Sequence, residues 1–313
     1  MRYYFAPMEG LTDGVYRRLH HKYFPGVDRY YMPFISPTVH RQLTHREDRE
    51  LPMADSVSFA AIPQILTKVP EDFIWAAEQC RDRGYEEVNL NLGCPSGTVV
   101  SKGKGAGMLA DPEKLDRFLD AVFSGTPLSV SVKTRLGMTS PEEFPALLDV
   151  FNRYPIKELI LHPRVRKAFY SGSVDMDAFT YCLENSKIPV CYNGNLCSIR
   201  EIQDFSARFP QVKAIMIGRG LIGDPGMLSG GTGPATLEAF HEELLETYIV
   251  LFGGARNAMF RLKENWRYLI RLFGDSDKPG KRLRKTTDMA EFRIIVREII
   301  HDLPVLPELS PDW

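Results

Sequence analysis

The sequence predicts an α/β fold, a (β/α)8 TIM barrel followed by a small all-helical C-terminal domain. Two observations carry this. Eight short runs rich in Val, Ile, Leu and Tyr alternate with helical patterns up to Gly220, and such alternation implies parallel strands joined by right-handed crossovers. After the breaker-rich Ser229-Gly-Gly-Thr-Gly-Pro234 only helical patterns remain. No GxGxxG follows the first run, which argues against an open dinucleotide-binding sheet.

The strands are expected at Tyr3–Met8, Tyr30–Phe34, Pro63–Leu66, Glu87–Leu92, Leu128–Thr134, Glu158–His162, Pro189–Tyr192 and Ala214–Gly218. Apolar residues at helical spacing place helices at Asp13–Lys22, Glu71–Arg83, Asp111–Phe123, Pro141–Phe151, Asp175–Glu184 and Ser198–Phe209. Ser36–Ala60 offers no clean helix. Residues 1–234 form the expected barrel domain. Residues 235–313, with amphipathic patterns at Ala235–Val250, Ala255–Phe273 and Thr287–Asp302, form the helical one.

Composition narrows the class. The 313 residues are 44% hydrophobic and 25% charged, which excludes a disordered, collagen-like or coiled-coil chain. No run reaches the ~18 apolar residues of a membrane span, and the N-terminus lacks the apolar core of an export signal. Five cysteines without a CxxC pair make neither a disulfide framework nor a zinc ribbon. A cytoplasmic monomer without a metal is expected. The net charge is −1, yet Ala255–Arg297 holds twelve Lys or Arg against five Asp or Glu. That asymmetry points to an acidic partner for one end of the chain.

In a (β/α)8 barrel the chemistry sits at the C-terminal ends of the strands. There the sequence places Pro7-Met8-Glu9-Gly10, Gln64, Asn91-Leu-Gly-Cys-Pro95, Lys133 and Arg135, His162 with Arg164 and Arg166, Asn193-Gly194-Asn195, and Gly218-Arg219-Gly220. The last two groups follow strands seven and eight, where barrels often hold a phosphate, and they combine close-approach glycine backbone with one guanidinium. Read singly, either is a tight turn or a phosphate loop; the pair at these two strands favours the phosphate. Lys133 ends a strand of small and apolar residues and could stabilise an anionic cofactor such as a reduced flavin. Gln64 suits the donor–acceptor edge of such a ring. His162 is a core histidine or a ring or phosphate contact. Cys94, between Gly93 and Pro95, is the sharpest residue. A free thiol with a pKa near 8.5 is mostly protonated at neutral pH, which suits a general acid. The other four cysteines read as packing. Ser101-Lys-Gly-Lys-Gly-Ala-Gly107 is either a loop that closes over a substrate or a solvated one.

Taken together, Ala6-Pro-Met-Glu-Gly-Leu-Thr-Asp13, Pro63-Gln64, Asn91-Leu-Gly-Cys-Pro-Ser96, Ser131-Val-Lys-Thr-Arg-Leu-Gly137, Leu161-His-Pro-Arg164, Tyr192-Asn-Gly-Asn195, Met216-Ile-Gly-Arg-Gly220 and Phe260-Arg-Leu-Lys-Glu-Asn-Trp-Arg-Tyr-Leu269 resemble the tRNA-dihydrouridine synthase family. The resemblance runs from Ala6 to Leu269. Gly97 and Pro163 depart from the family pattern, both in loops. The resemblance implies an FMN-bound barrel and a helical domain that grips tRNA. The implied reaction reduces the C5–C6 double bond of a uridine with electrons passed from NADPH through FMN. Flavin N5 would deliver hydride to C6, Cys94 would protonate C5, and Asn91 would hold the uracil. FMN would be bound by Pro7, Met8, Glu9, Gln64, Lys133, His162, Asn193, Gly194, Asn195, Gly218 and Arg219. Arg164, Arg166, Arg261 and Lys263 would meet the RNA. Lys263 and Arg267 share a helix face, whereas Arg261 lies about 160° from Lys263 and is placed to pack or to face the barrel instead.

Two rivals remain. A dihydroorotate dehydrogenase-like FMN barrel would act on a small pyrimidine and would need no basic helical domain. A tRNA-binding protein with dead chemistry would not need Cys94 and Lys133.

Overall fold

The computed structural model describes residues 1–309, so the last four residues of the expected helical domain lie outside the described residues. All eight expected strands are present, every one in a single parallel sheet. With Ala61–Ile62 just before the third of them the strands number nine: β1 (Arg2–Phe5), β2 (Arg29–Tyr31), β3 (Ala61–Ile62), β4 (Gln64–Ile65), β5 (Glu87–Leu92), β6 (Ser129–Arg135), β7 (Leu159–His162), β8 (Val190–Asn193) and β9 (Ala214–Ile217). The order β3-β2-β1-β9-β8-β7-β6-β5-β4 leaves β3 and β4 at its two ends. These are halves of one extended segment interrupted at Pro63, whose ring nitrogen has no hydrogen to donate. β3 pairs with β2, β4 pairs with β5, and the Pro63 carbonyl accepts Asn89 N–H at 2.8 Å. The third expected strand therefore closes the sheet into a barrel.

The chain forms two compact units that interleave along the sequence. The first holds Met1–Pro7, Asp28–Gly194 and Gln211–Met216. Its interior packs Tyr4, Tyr31, Ile160, Cys191 and Met216 against one another. At the N-terminal ends of its strands Glu87 meets Arg29 at 3.1 Å and Lys157 at 2.8 Å, and Glu158 meets Arg2 at 3.3 Å. Charge at that end of a barrel serves stability rather than catalysis.

The second unit holds Met8–Val27, Asn195–Pro210 and Ile217–Trp313. Asp13 accepts Tyr16 N–H at 2.9 Å and so caps the helix Gly14–Tyr23. Phe240, on the helix Pro234–Phe252, meets Tyr16 and Phe24 edge-on. Burial pushes His241 down to about 3, so its neutral Nε2 accepts the Trp266 indole N–H at 3.0 Å. This grouping cuts across the expected 234/235 boundary, which we keep as a proposal for where the helical domain begins.

Among the described residues four α-helices escape the sequence reading, the short Gly97–Val100 and Arg219–Gly223 and two longer ones. His45–Glu50 lies in the stretch without a clean pattern and is fixed by a capping box between Thr44 and Glu47. Asp277–Lys285 contains Pro279 and Gly280, which read as breakers, but Pro279 falls in the first turn, where no intrahelical N–H is needed.

Candidate active site

Strand register builds the first unit's site. Along β5 alternate side chains share a face, so Asn89 and Asn91 point the same way. Asn89 lies beside Gln64 and Ser131, and Asn91 lies beside Lys133. These side chains form one buried chain of hydrogen bonds. Asn89 Nδ2 donates to Ser131 Oγ at 3.0 Å, Gln64 Nε2 donates to Asn89 Oδ1 at 2.8 Å, and Asn91 Nδ2 donates to Gln64 Oε1 at 2.7 Å. The chain ends on the backbone of the cysteine loop, where Asn91 Oδ1 accepts the N–H of Gly93 at 3.1 Å and of Cys94 at 2.9 Å. Asn91, expected to hold a uracil, thus first fixes Cys94. One amide hydrogen remains for a ligand.

Cys94 is partly exposed, while Cys80, Cys182, Cys191 and Cys197 are buried. In the glycine-rich segment after it Ser101 and Lys102 are exposed, while the second half is packed. Gly105, Ala106, Met108 and Leu109 are buried, and Ala106 N–H donates to the Cys94 carbonyl at 3.1 Å. Gly105 has φ 56°, and a Cβ there would stand 3.0 Å from the Cys94 carbonyl oxygen, so this packing requires glycine.

Arg135, 1% exposed, ties the cysteine loop to the segment after β7. Its Nε donates to Gly93 O at 2.9 Å, and its Nη1 donates to Phe169 O at 2.7 Å and Val165 O at 3.3 Å. Arg166 Nε donates to Pro95 O at 3.2 Å. The two arginines therefore grip the carbonyls on either side of Cys94. Arg164, expected to contact RNA, is buried and holds its own loop, bonded to His162 Nε2 at 3.0 Å and to the Gly172 carbonyl. His162 also stacks on Tyr170. Asn193 Nδ2 donates to Met216 O at 2.8 Å, and Gly194 follows directly. Pro7 closes the first segment of this unit.

Lys133 differs from these neighbours. Among the described residues no hydrogen-bond or ion-pair partner meets its ammonium. Burial, then the nearby Arg135 charge, pushes it down to about 7. A desolvated cation without a counter-charge is the chemistry of an anion-stabilising site, and it fits a flavin whose ring gains negative charge on reduction.

In the second unit Arg219 Nη2 donates to Asn195 Oδ1 at 2.8 Å, and Gly218 precedes it at the start of the short helix Arg219–Gly223. Met8 N–H and the Thr12 hydroxyl bond at 2.9 Å, which shapes the loop that carries Glu9. Arg261 donates to Asp13 at 2.9 Å, and Tyr248 Oη donates to the same carboxylate at 3.0 Å. The expected RNA contact Arg261 is thus engaged inside its unit, the alternative its helix position allowed. Lys263 Nζ donates to the carbonyls of Arg284 at 3.3 Å and of Thr286. It caps the C-terminal end of the helix Asp277–Lys285. On that helix Lys278, Lys281, Arg284 and Lys285 are exposed and form no ion pair among the described residues, while Arg282 pairs with Glu298 at 2.7 Å.

Sequence reasoning left Asn89 and Ser131 out of the site and placed Arg135 at the strand end without a role. The period-2 alternation Asn89/Asn91 and Ser131/Lys133/Arg135 is a readable signal for all three.

The dihydrouridine synthase family model matches residues 4–248. The chain belongs to the dihydrouridine synthase family. Its relatives include the tRNA-dihydrouridine(16) synthase of Escherichia coli strain K12, 30% identical over 238 residues that cover 72% of this chain and 74% of that one. The probable tRNA-dihydrouridine synthase of Rickettsia conorii is 28% identical over 230 residues, 72% of this chain and 67% of that one. Among solved structures, morphinone reductase superposes with a TM-score of 0.53 at 11% identity, covering 73% of this chain and 84% of that one, a likeness of fold. No helix among the described residues is long and apolar enough to cross a membrane.

Proposed function

We propose that this dihydrouridine synthase reduces the C5–C6 double bond of a uridine within tRNA, with FMN bound in the barrel and NADPH as the electron source. The observation that carries the reading is the Cys94 loop. It is held by Asn91 and, on its flanks, by Arg135 and Arg166, and it leaves a partly exposed thiol just past β5, the strand whose Asn91 pairs with Lys133. FMN, when bound, supplies the hydride. The chain's own residues do the rest. Lys133 offers positive charge to the flavin ring, and Gln64, His162, Asn193 and Gly194 lie along the same strand ends. Pro7, Met8 and Glu9 follow β1. Asn195, Gly218 and Arg219 are assigned to the phosphate by their places after β8 and β9. Cys94 holds the proton destined for C5, and the free Asn91 amide hydrogen is available to the uracil. A uridine inside folded tRNA reaches such a site only when it is extruded, at a cost of a few kcal/mol, so contacts elsewhere must hold the RNA. The exposed Lys281, Arg284 and Lys285 supply them.

The test is a map of dihydrouridine in tRNA from cells with and without this gene. One or more uridines should lose the modification in the deletion, and a plasmid copy should restore it. A complete dihydrouridine pattern in the deletion strain, from a cell with no second family member, would overturn the assignment.

A further inference from the structure

Phe169 stands where a side chain is hard to accommodate. Ser171 N–H donates to Ala168 O at 2.9 Å, so residues 168–171 form a turn. Phe169 occupies its first central position with φ 50° and ψ −101°. This is close to the type II′ geometry that takes glycine there. Burial does not explain the phenyl ring, because Phe169 is 42% exposed and the adjacent Tyr170 is 49% exposed. The turn is nonetheless held rigidly. Arg135 donates to its Phe169 carbonyl and, through Nε, to Gly93 O. Arg166 donates to Pro95 O while its guanidinium lies 5.0 Å from the Phe169 ring centroid. The exposed ring is therefore braced against both neighbours of Cys94. Arg166 and Lys167 form no ion pair with a carboxylate among the described residues. A strained, rigid, exposed aromatic backed by a guanidinium and surrounded by positive charge matches the way proteins hold unpaired nucleotides, by stacking on a ring with cations at the phosphates.

We propose that Phe169, braced by Arg166, is a stacking platform for an unpaired RNA base that flanks the reduced uridine. The proposal rests on the tRNA reading above and adds a second nucleotide contact to it. The geometry also says why the residue is not glycine: relaxing the turn would remove the ring.

The experiment uses the full-length, FMN-loaded protein with Phe169→Gly, Phe169→Leu and Phe169→Trp. Unmodified tRNA transcript is the ligand. Binding is read by anisotropy, KM and kcat by dihydrouridine formation, and folding by the thermal midpoint. Phe169→Gly should keep or raise the midpoint, since glycine fits this backbone. It should nonetheless weaken tRNA binding and raise KM by roughly 5- to 100-fold, the range for loss of one base stack. Phe169→Leu, apolar but without a π face, should lose affinity to a similar degree, and Phe169→Trp should retain it. Reduction of the bound flavin by NADPH without tRNA should match wild type in all three. If Phe169→Leu or a folded Phe169→Gly binds and turns over tRNA as wild type does, the platform is wrong while the function stands. If wild-type protein neither binds tRNA nor reduces its uridine, the function reading fails and the platform with it.

Discussion

Around Cys94 the polar side chains are spent on one another and on the backbone. Asn91, Gln64, Asn89, Arg135, Arg164 and Arg166 all donate to a neighbouring amide, hydroxyl or carbonyl. Along Asp277–Lys285 the cations are exposed, and Lys278, Lys281, Arg284 and Lys285 pair with no carboxylate among the described residues. The contrast separates two tasks. A reacting thiol needs a rigid frame, because catalysis suffers from small misplacements. A phosphate backbone needs accessible charge, whose binding comes from released counterions and tolerates loose geometry. Two residues cross the divide. Lys133 is an unpartnered cation in the barrel, and Lys263 is a cation of the helical region spent on a helix end.

Four outcomes break or sharpen this comparison. The largest effect is expected at Cys94. Replacement by Ala should leave flavin binding and reduction by NADPH intact and slow uridine reduction by about 10²–10⁴-fold, the usual worth of a positioned acid. Stopped-flow measurement of the two half-reactions separates them, and an undiminished uridine step would remove Cys94 from the mechanism. Next comes the triple variant Lys281→Ala, Arg284→Ala, Lys285→Ala. Affinity for tRNA should drop about 10- to 100-fold at moderate salt. The slope of log K against log salt should flatten by about 0.7–0.9 per lost contact. An unchanged slope would show that these charges do not meet phosphate.

Lys263→Ala sharpens the division. A capping lysine removed should cost about 0.5–1.5 kcal/mol of stability, read from a urea midpoint, and should leave the salt slope as it was. A slope that falls by one contact's worth would return Lys263 to the RNA surface. The fourth outcome concerns Lys133. Burial lowers its folded pKa to about 7 from an ordinary 10.5. Between those values the unfolded chain holds a proton that the folded chain has released, so this group makes stability rise with pH. Flavin-free Lys133→Met should therefore be more stable than flavin-free wild type at pH 7, and the gap should narrow by about 2 kcal/mol by pH 9. A gap that widens would mean that the ammonium is stabilised in the fold.

Much of this was legible in the sequence. The eight strands announce themselves through short Val-, Ile- and Leu-rich runs, and the strand ends place Cys94, Asn91 and Lys133 together on chemical grounds alone. What sequence could not show was partnership. Arg164, Arg261 and Lys263 look like RNA contacts because they are basic and near motifs. Whether a guanidinium faces solvent or a carbonyl such as that of Gly172 is decided by loop conformation, which has no sequence period. The helix Asp277–Lys285 was hidden by Pro279, a breaker by propensity that is harmless in a first turn. The turn at Phe169 was hidden for the opposite reason, since nothing in the residue type hints at a positive φ.

The most direct measurement mixes anaerobically NADPH-reduced protein with unmodified tRNA transcript, and separately with orotate. Flavin absorbance is followed, and the RNA is then analysed. The expected result is reoxidation of the flavin by tRNA with one dihydrouridine formed per flavin, and none by orotate. Reoxidation by orotate with tRNA left untouched would contradict the assignment and place the chemistry on a small pyrimidine instead.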